Sequence, residues 1–579
     1  MISRRQTIVL IALTLIVGLA RLLAMARAPF DWDEALFALG VRDYDVTQHR
    51  PHPPGYPLFI LAAKFVHLFG LSEFRSLQVV VLVGGFMLFP ALVALARELG
   101  FDFSTAVCGA AIYCFLPNVW VYGGTGFSDV PATAIGFVAC WLLLRGRRDV
   151  RSYVFGAIVL GIAAGIRPPN LLIGAIPALV ATYHRVRVSI APVVTAILLG
   201  AAITGGSYLG AALQSPSIEA YARAVETQSK YVREIDSFRN PGRPPLSEAA
   251  EIFLLWPVRQ KQQMVGLAAL AVISLIHALI RRRKAPWFVL AVFGPYALVA
   301  WLNLDFATAA RYAIAYMAAH ALLAADGLGV IVRRREGIQA LLSSAVIAVF
   351  AVWTWPALEL QRTTDPPPVA ALEWIRQNVP PDAKLYIHGG IGPTAEVLLP
   401  DRKKTYYDTP EQISVLSGQG WVVDLRGQPD GHDFIWPRNS LWKIVRARNF
   451  EASVARVAST VGFGSGFYGE EVEGAAFYRW MGRDGQATLP ALPGKGKLYL
   501  KMYVPIDTIA PPSIEVSLNG RLLERFKGST AFIEKSWIAP SRPGGANELR
   551  IATSATAREP GGTRDLGLRI EALSWTPAP

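Results

Sequence analysis

The chain reads as a polytopic α-helical membrane protein of about eleven spans, followed by an extracytoplasmic domain with an α/β part and a jelly-roll-like β-sandwich. Three observations predict this. The 579 residues are 52% hydrophobic and only 17% charged, too apolar for a soluble enzyme. The apolar residues come in long blocks, most of roughly 18 residues or more, a length that crosses a bilayer core as a helix. The basic residues that make the net charge +14 sit between those blocks at alternate ends, so they report topology and not an affinity for nucleic acid.

Spans are expected near 7–26, 76–97, 103–122, 129–145, 152–166, 168–183, 190–212, 263–280, 286–303, 312–331 and 338–358. Arg4/Arg5, Arg145/Arg147/Arg148/Arg151, Arg185/Arg187, Arg281–Lys284 and Arg333–Arg335 mark one side of the membrane, the inside. Residues 56–71 are apolar but short, with Lys64 and His67 in their middle. A crossing there would put every later arginine cluster outside, so an interfacial or re-entrant helix is expected. Arg21, near the outer end of the first span, is expected to snorkel. Arg4-Arg5, the apolar run and Ala26-Arg27-Ala28 imitate a signal peptide, but the run extends to Met25 and Pro29 would follow the cut, so retention of the span is expected.

Cys108, Cys114 and Cys140 all fall inside expected spans, which points to packing and offers neither a disulfide framework nor a metal spacing. No Asn-x-Ser/Thr acceptor occurs, and a bacterial plasma (inner) membrane is the simpler location, with the N-terminus cytoplasmic. In the loop 213–262, Ile218, Tyr221, Val225, Val232 and Ile235 recur at helical spacing, predicting an amphipathic surface helix. Outer arginines there, Arg223, Arg233, Arg239 and Arg243, either meet an anionic ligand or are balanced by the acids around them.

Behind Asp365-Pro366-Pro367-Pro368 the composition becomes that of a globular domain. Residues 361–466 alternate helix-like and strand-like runs, predicting a small α/β layer. Residues 467–579 alternate at period two, with Leu498, Leu500 and Met502 on one face, Tyr499, Lys501 and Tyr503 on the other, and a turn at Asn519-Gly520. Trp480, Trp537 and Trp575 are candidates either for sugar stacking or for the core. Gly390-x-Gly392-x-x-Ala395 imitates a dinucleotide fingerprint, but Pro393 and the short helix it allows argue against one.

With this topology the outer ends of the spans collect Asp33 and Glu34, His49 and His52, Asp129, Arg167 and Arg311. A carboxylate at the membrane edge that faces a cavity is a functional candidate, since in hydrocarbon it would only be costly. Taken singly, each could be a solvated loop residue, and Asp129 in Ser128-Asp129-x-Pro131 has the pattern of a helix cap.

Asp33-Glu34 behind the first span, the His52-Pro53-Pro54 run, Ser128-Asp129-x-Pro131 opening one span and Arg311-Tyr312 opening a late one resemble the GT-C membrane glycosyltransferases. The likeness is to the protein O-mannosyltransferase and lipid A aminoarabinose transferase group with its bacterial RgtA/B/C/D-like members, and it covers about residues 1–360. It implies inverting transfer of a hexosyl or pentosyl group from a polyprenyl-phosphate donor to a glycan, lipid or protein acceptor at the outer face. It implies Asp33 and Glu34 as the catalytic acids, with Asp33 the general base and Glu34 orienting the loop or acceptor. His52 and Arg311 would hold the donor phosphate, and Asp129 would position the acceptor or cap its helix. His52 stands where the aminoarabinose transferases carry lysine, so its charge is set by its pKa. No metal, cofactor or nucleic acid is expected. A lipid-linked glycan ligase or polymerase and a membrane transporter are the alternative readings, although no inverted repeat is evident.

Overall fold

The computed structural model describes residues 3–578 apart from 256, 259–260, 414, 416–418, 428–430, 438–443, 445–449, 459–460 and 474–475. The chain forms two compact units. One comprises Met1–Pro366 with Trp436–Phe450, the other Pro367–Ile435 with Glu451–Pro579.

The first unit is helical. It opens with α1 (Arg4–Leu22), α2 (Trp32–Arg42), α3 (Pro57–His67), α4 (Glu73–Glu98), α5 (Phe103–Cys114), α6 (Pro117–Tyr122), α7 (Asp129–Arg145) and α8 (Val150–Ile166). Among the described residues five helices are long and apolar enough to cross a membrane, or six if the bent pair Phe306–Tyr312 and Met317–Ile331 is one span. Several expected spans are shorter or interrupted. The stretch 103–122 is two helices, α5 and α6, because Pro117 has no N–H to give and starts a new helix at its first turn. The helix α3 has 11 residues, about 16 Å of rise, roughly half a bilayer core, and it ends at His67. Ile8, Ile11, Leu15 and Leu19 of α1, and Ile197, Leu198, Leu209 and Leu213 of Ala191–Gln214, are exposed, an outward apolar face suited to lipid.

Charged residues segregate to two ends of this unit. At one end buried Asp326 accepts two bonds from Arg283, at 2.8 and 2.9 Å, one from Arg334 at 2.9 Å and one from Ser274 at 2.7 Å. Glu98 pairs there with Arg147 and Arg148 at 2.9 and 2.5 Å. Asp129 and Arg311 lie at the opposite ends of α7 and of Met317–Ile331, so the arginine clusters and the candidate site are separated by the length of those helices.

Arg21 does not snorkel. It is fully buried and donates to the carbonyls of Cys114, at 2.5 Å, and Val119, at 3.5 Å, on either side of the break before Pro117. The guanidinium thus bonds the backbone on both sides of that break. Cys108, Cys114 and Cys140 are free and buried.

The second unit contains a mixed five-stranded sheet in the order Thr405–Tyr407, Leu385–His388, Gln419–Asp424, Glu451–Ala458, His432–Ile435, the first three parallel. Helix Pro367–Asn378 buries Ala371, Leu372 and Ile375 with Leu385, Ile387 and Val454 of this sheet. The Gly390 to Ala395 segment forms a single turn and a seven-residue helix, Gly392–Leu398, too short for a dinucleotide-binding helix. Two further five-stranded sheets follow, and their inner faces share one core through Leu498, Leu500 and Met502 from one sheet and Val516, Leu549 and Ile551 from the other. Asn519 and Gly520 both have positive φ, 53° and 78°, which gives the tight hairpin that joins Ser513–Leu518 to Arg521–Lys527. Trp575 is buried in the shared core and Trp537 packs on it, so both serve the fold; Trp480 stands on the outer face.

Candidate active site

The segment Asp31-Trp32-Asp33-Glu34 is a capping box. Asp31 is the N-cap of α2 and accepts from the Asp33 N–H at 3.0 Å, while Glu34 Oε2 reaches back to the N–H groups of Phe30 and Asp31 at 2.9 and 3.3 Å. The other Glu34 oxygen accepts the Gly126 N–H at 2.7 Å. Gln78 ties the same two strands of chain together by donating to the carbonyls of Ala26 and Gly124, at 2.9 and 2.7 Å. A Cβ at Gly124 would run into the Ala24 carbonyl, so the approach requires glycine there.

Glu34, grouped with Asp33 as a catalytic acid and expected to orient the loop or an acceptor group, faces the backbone of the loop. Glu34 is fully buried, does not line the cavity, and spends both oxygens on three backbone donors. Burial pushes its carboxyl up to about 8, and the three donors pull the other way. Its role is to fix the start of α2. Compared above about pH 8, where the parent carboxyl is ionised, the Glu34→Gln amide N–H must face one set of backbone donors, leaving at least one buried N–H unpaired. That variant is expected to lose about 1–3 kcal/mol, read as a lowered melting temperature in detergent.

Asp33, freed from capping, points into a cavity of about 700 Å³. Its Oδ2 accepts from Arg311 at 2.7 Å, and its Oδ1 lies 3.8 Å from His52 Nδ1. Arg311 is held in place from α5 and α6: Asn118 donates to the Ala310 carbonyl and Tyr113 to the Ile314 carbonyl, each at 2.7 Å. Its guanidinium also lies over the rings of Phe127, 4.7 Å away, and Tyr312, 5.2 Å away.

A second cation, Arg167, lines the same cavity. It ends α8 because Pro168 and Pro169 follow it: a residue before proline is driven to extended backbone, here φ −155° and ψ 112°, and the helix stops. Arg167 pairs with buried Asp129 at 3.3 Å and donates to Ser128 Oγ at 3.3 Å. Asp129 therefore does not act as the cap of α7. It is the first residue of that helix, its carboxylate faces Arg167, and Ser128 in the N-cap position makes no side-chain cap bond.

His52 lines the same cavity. Its Nε2 shares a 2.8 Å hydrogen bond with the Tyr56 hydroxyl, and burial first, with Arg311 and Arg167 adding to it, holds the imidazole down to about 4 against the pull of Asp33. That direction favours the neutral imidazole, a hydrogen-bonding group, over a charged one. The loop that carries it is closed by Tyr44, which donates to the Gly55 carbonyl at 2.9 Å; Gly55 has φ 106°, and a Cβ there would collide with Tyr44.

The amphipathic helix expected in 213–262 is Ile218–Tyr231, and Gln228, Tyr231, Arg233 and Arg239 from it and the turn after it line the cavity. Its Tyr221 donates to the Pro54 carbonyl at 3.0 Å. Arg243 is used by the fold, donating to the carbonyls of Trp301, Leu302 and Leu304 at 2.7–3.0 Å. Arg223 pairs with Glu219 on its own helix. Among the described residues no group of three or more His, Cys, Asp or Glu is arranged to hold a metal ion.

A larger, mainly apolar cavity of about 1070 Å³ lies beside α3. Pro57, Leu58 and Ile166 line it, next in sequence to Tyr56 and Arg167 of the polar cavity. The two spaces thus share a wall, with cations on one side and aliphatic side chains on the other.

The helical unit, followed in sequence by a β-rich one, resembles in fold several solved membrane glycosyltransferases. In structural comparison the chain matches ArnT from Cupriavidus metallidurans, solved with undecaprenyl phosphate bound, at a TM-score of 0.50 and 13% identity over 78% of this chain and 98% of that one. It also matches the oligosaccharyltransferase AglB from Archaeoglobus fulgidus, in complex with an inhibitory peptide and a dolichol-phosphate, at 0.44 and 13% over 69% of this chain, and spans 65% of its length. A third match is the mycobacterial arabinofuranosyltransferase AftD, at 0.44 and 10% over 99% of this chain and 59% of that one. The ArnT overlay carries the fold assignment. No family model and no curated protein sequence matches the chain.

Proposed function

We propose that the protein is an inverting glycosyltransferase that moves a hexosyl or pentosyl group from a polyprenyl-phosphate donor to a glycan, lipid or protein acceptor. The observation that carries this reading is Asp33 at 2.7 Å from Arg311 inside a cavity that also holds Arg167 and adjoins an apolar groove. A donor with a phosphate head and an isoprenoid tail suits that pairing of spaces.

In this reading the Asp33 carboxylate takes the proton of the acceptor hydroxyl or amine as its O or N attacks the anomeric carbon. The bond from that carbon to the phosphate oxygen breaks, and its electron pair leaves with polyprenyl phosphate. Arg311 and Arg167 stabilise the charge that gathers there, so no acid is needed on the leaving group. Neutral His52 orients Asp33 or donates one hydrogen bond. Asp129 sets the position of Arg167. Residues 1–360 form the transferase unit, crossing a bacterial plasma membrane about eleven times with the N-terminus cytoplasmic. Residues 361–466 and 467–579, the latter a jelly-roll, lie outside the cell.

The test is release of polyprenyl phosphate from purified polyprenyl-phosphate sugars by the protein in proteoliposomes supplied with cell-envelope glycan, lipid and protein fractions as acceptors. Turnover is expected, with a rate that changes by no more than about twofold between about pH 5.5 and about pH 7.5, because His52, lowered to about 4, stays neutral throughout. A steep change centred near the ordinary histidine value would contradict the neutral imidazole, and no turnover of any donor would contradict the transferase reading.

A further inference from the structure

The second unit carries an aromatic row that transfer chemistry does not use. Strand register places Tyr503 opposite Phe532, Arg569 opposite Tyr503, and Trp480 opposite Arg569. These four residues therefore form one line across the strands Phe532–Pro540, Lys495–Tyr503, Leu568–Pro577 and Ala476–Met481. All four point away from the shared core, since Leu498, Leu500 and Met502, at alternate positions of the same strand, are buried in it. At about 4.8 Å between strands the row is about 14 Å long.

Its chemistry is mixed in a definite way. The Tyr503 ring lies 5.3 Å from Phe532 and 6.2 Å from Trp480. The Arg569 guanidinium lies over Tyr503 and Tyr478, at 4.6 and 4.5 Å, and is held by Glu571 at 2.5 Å and Glu473 at 3.7 Å. In the next row Lys501 pairs with Glu534 at 3.3 Å. Phe532 is 56% exposed, although a strand position in a finished sandwich could as easily carry a polar residue.

We infer that this face binds a short, uncharged oligosaccharide along the row Trp480–Arg569–Tyr503–Phe532. Pyranose and furanose rings present an apolar C–H face, which stacks on aromatic rings, and a rim of hydroxyls, which bond to carboxylates and guanidinium groups fixed between those rings. Charge balance selects this occupant. An anionic membrane surface attracts unpaired cations, whereas Arg569 in the row and Lys501 beside it are matched by Glu571, Glu473 and Glu534. The inference does not depend on transfer activity.

The experiment uses the full chain in detergent. It measures binding to a panel of glucan, mannan, galactan and arabinan hexasaccharides and, separately, to phosphatidylglycerol vesicles. The parent is expected to bind at least one hexasaccharide, Trp480→Ala and Phe532→Ala each to weaken it about tenfold or more, and Ile538→Ala, on the same face but off the row, to leave it unchanged. Asp33→Asn is expected to bind as the parent does, which separates this site from the transferase reading. Failure of the parent to bind any hexasaccharide, equal binding by the row variants with unchanged melting temperatures, or vesicle binding that Trp480→Ala abolishes would each overturn the proposal.

Discussion

Replacing Asp33 by Asn is expected to reduce sugar transfer by about 10²–10⁴-fold, the usual contribution of a placed general base. The amide keeps the size of the carboxylate and an oxygen for the Arg311 N–H now 2.7 Å away, but it cannot take the acceptor's proton. The sign of the effect on donor binding is opposite. Removing a negative charge beside Arg311 and His52 leaves the cation without its partner, and an incoming phosphate then meets less repulsion. The variant should bind donor as well as the parent or better while failing to consume it. A Michaelis constant that rises while turnover persists would assign Asp33 to binding and not to chemistry.

Arg311→Ala is expected to cost about 2.7–4 kcal/mol of transition-state stabilisation, about 10²–10³-fold in kcat/KM, because the guanidinium faces both Asp33 and the space a donor phosphate would occupy. Arg167 remains in the cavity and keeps part of the phosphate affinity. Arg311→Lys should recover little. A point ammonium cannot bond Asp33 while lying flat over Phe127, as the guanidinium does at 4.7 Å. Single-turnover rates with saturating donor separate the two components, since a pure binding role would be repaired by excess donor.

Asp33 and Arg311 were legible in the sequence because each is a charge beside an apolar block, where membrane insertion makes it expensive. Their contact, across 278 residues, was legible only through the shared side that positive-inside parity gives them. Arg167 stood in the same outer set, and its Pro168-Pro169 neighbours signalled a helix end, yet only the packing of α7 against α8 shows that it meets Asp129. Glu34 carries a local signal: Asp31-x-x-Glu34 is a capping-box spacing, which commits that carboxylate to backbone. The neutral state of His52 had no local signal, since it comes from burial and from two arginines distant in sequence. In the sandwich, alternation identified the inner residues of Lys495–Tyr503, whereas the row on its outer face needed the register of three neighbouring strands.

The most direct test of the transferase account is mass spectrometry of lipids that co-purify with Asp33→Asn beside the parent. Enrichment of a polyprenyl-phosphate sugar in the variant is the predicted result, because a site that binds the donor and lacks its base should retain it, and the mass would name the sugar. Equal, bulk phospholipid in both samples, with full transfer activity in the variant, would contradict the account.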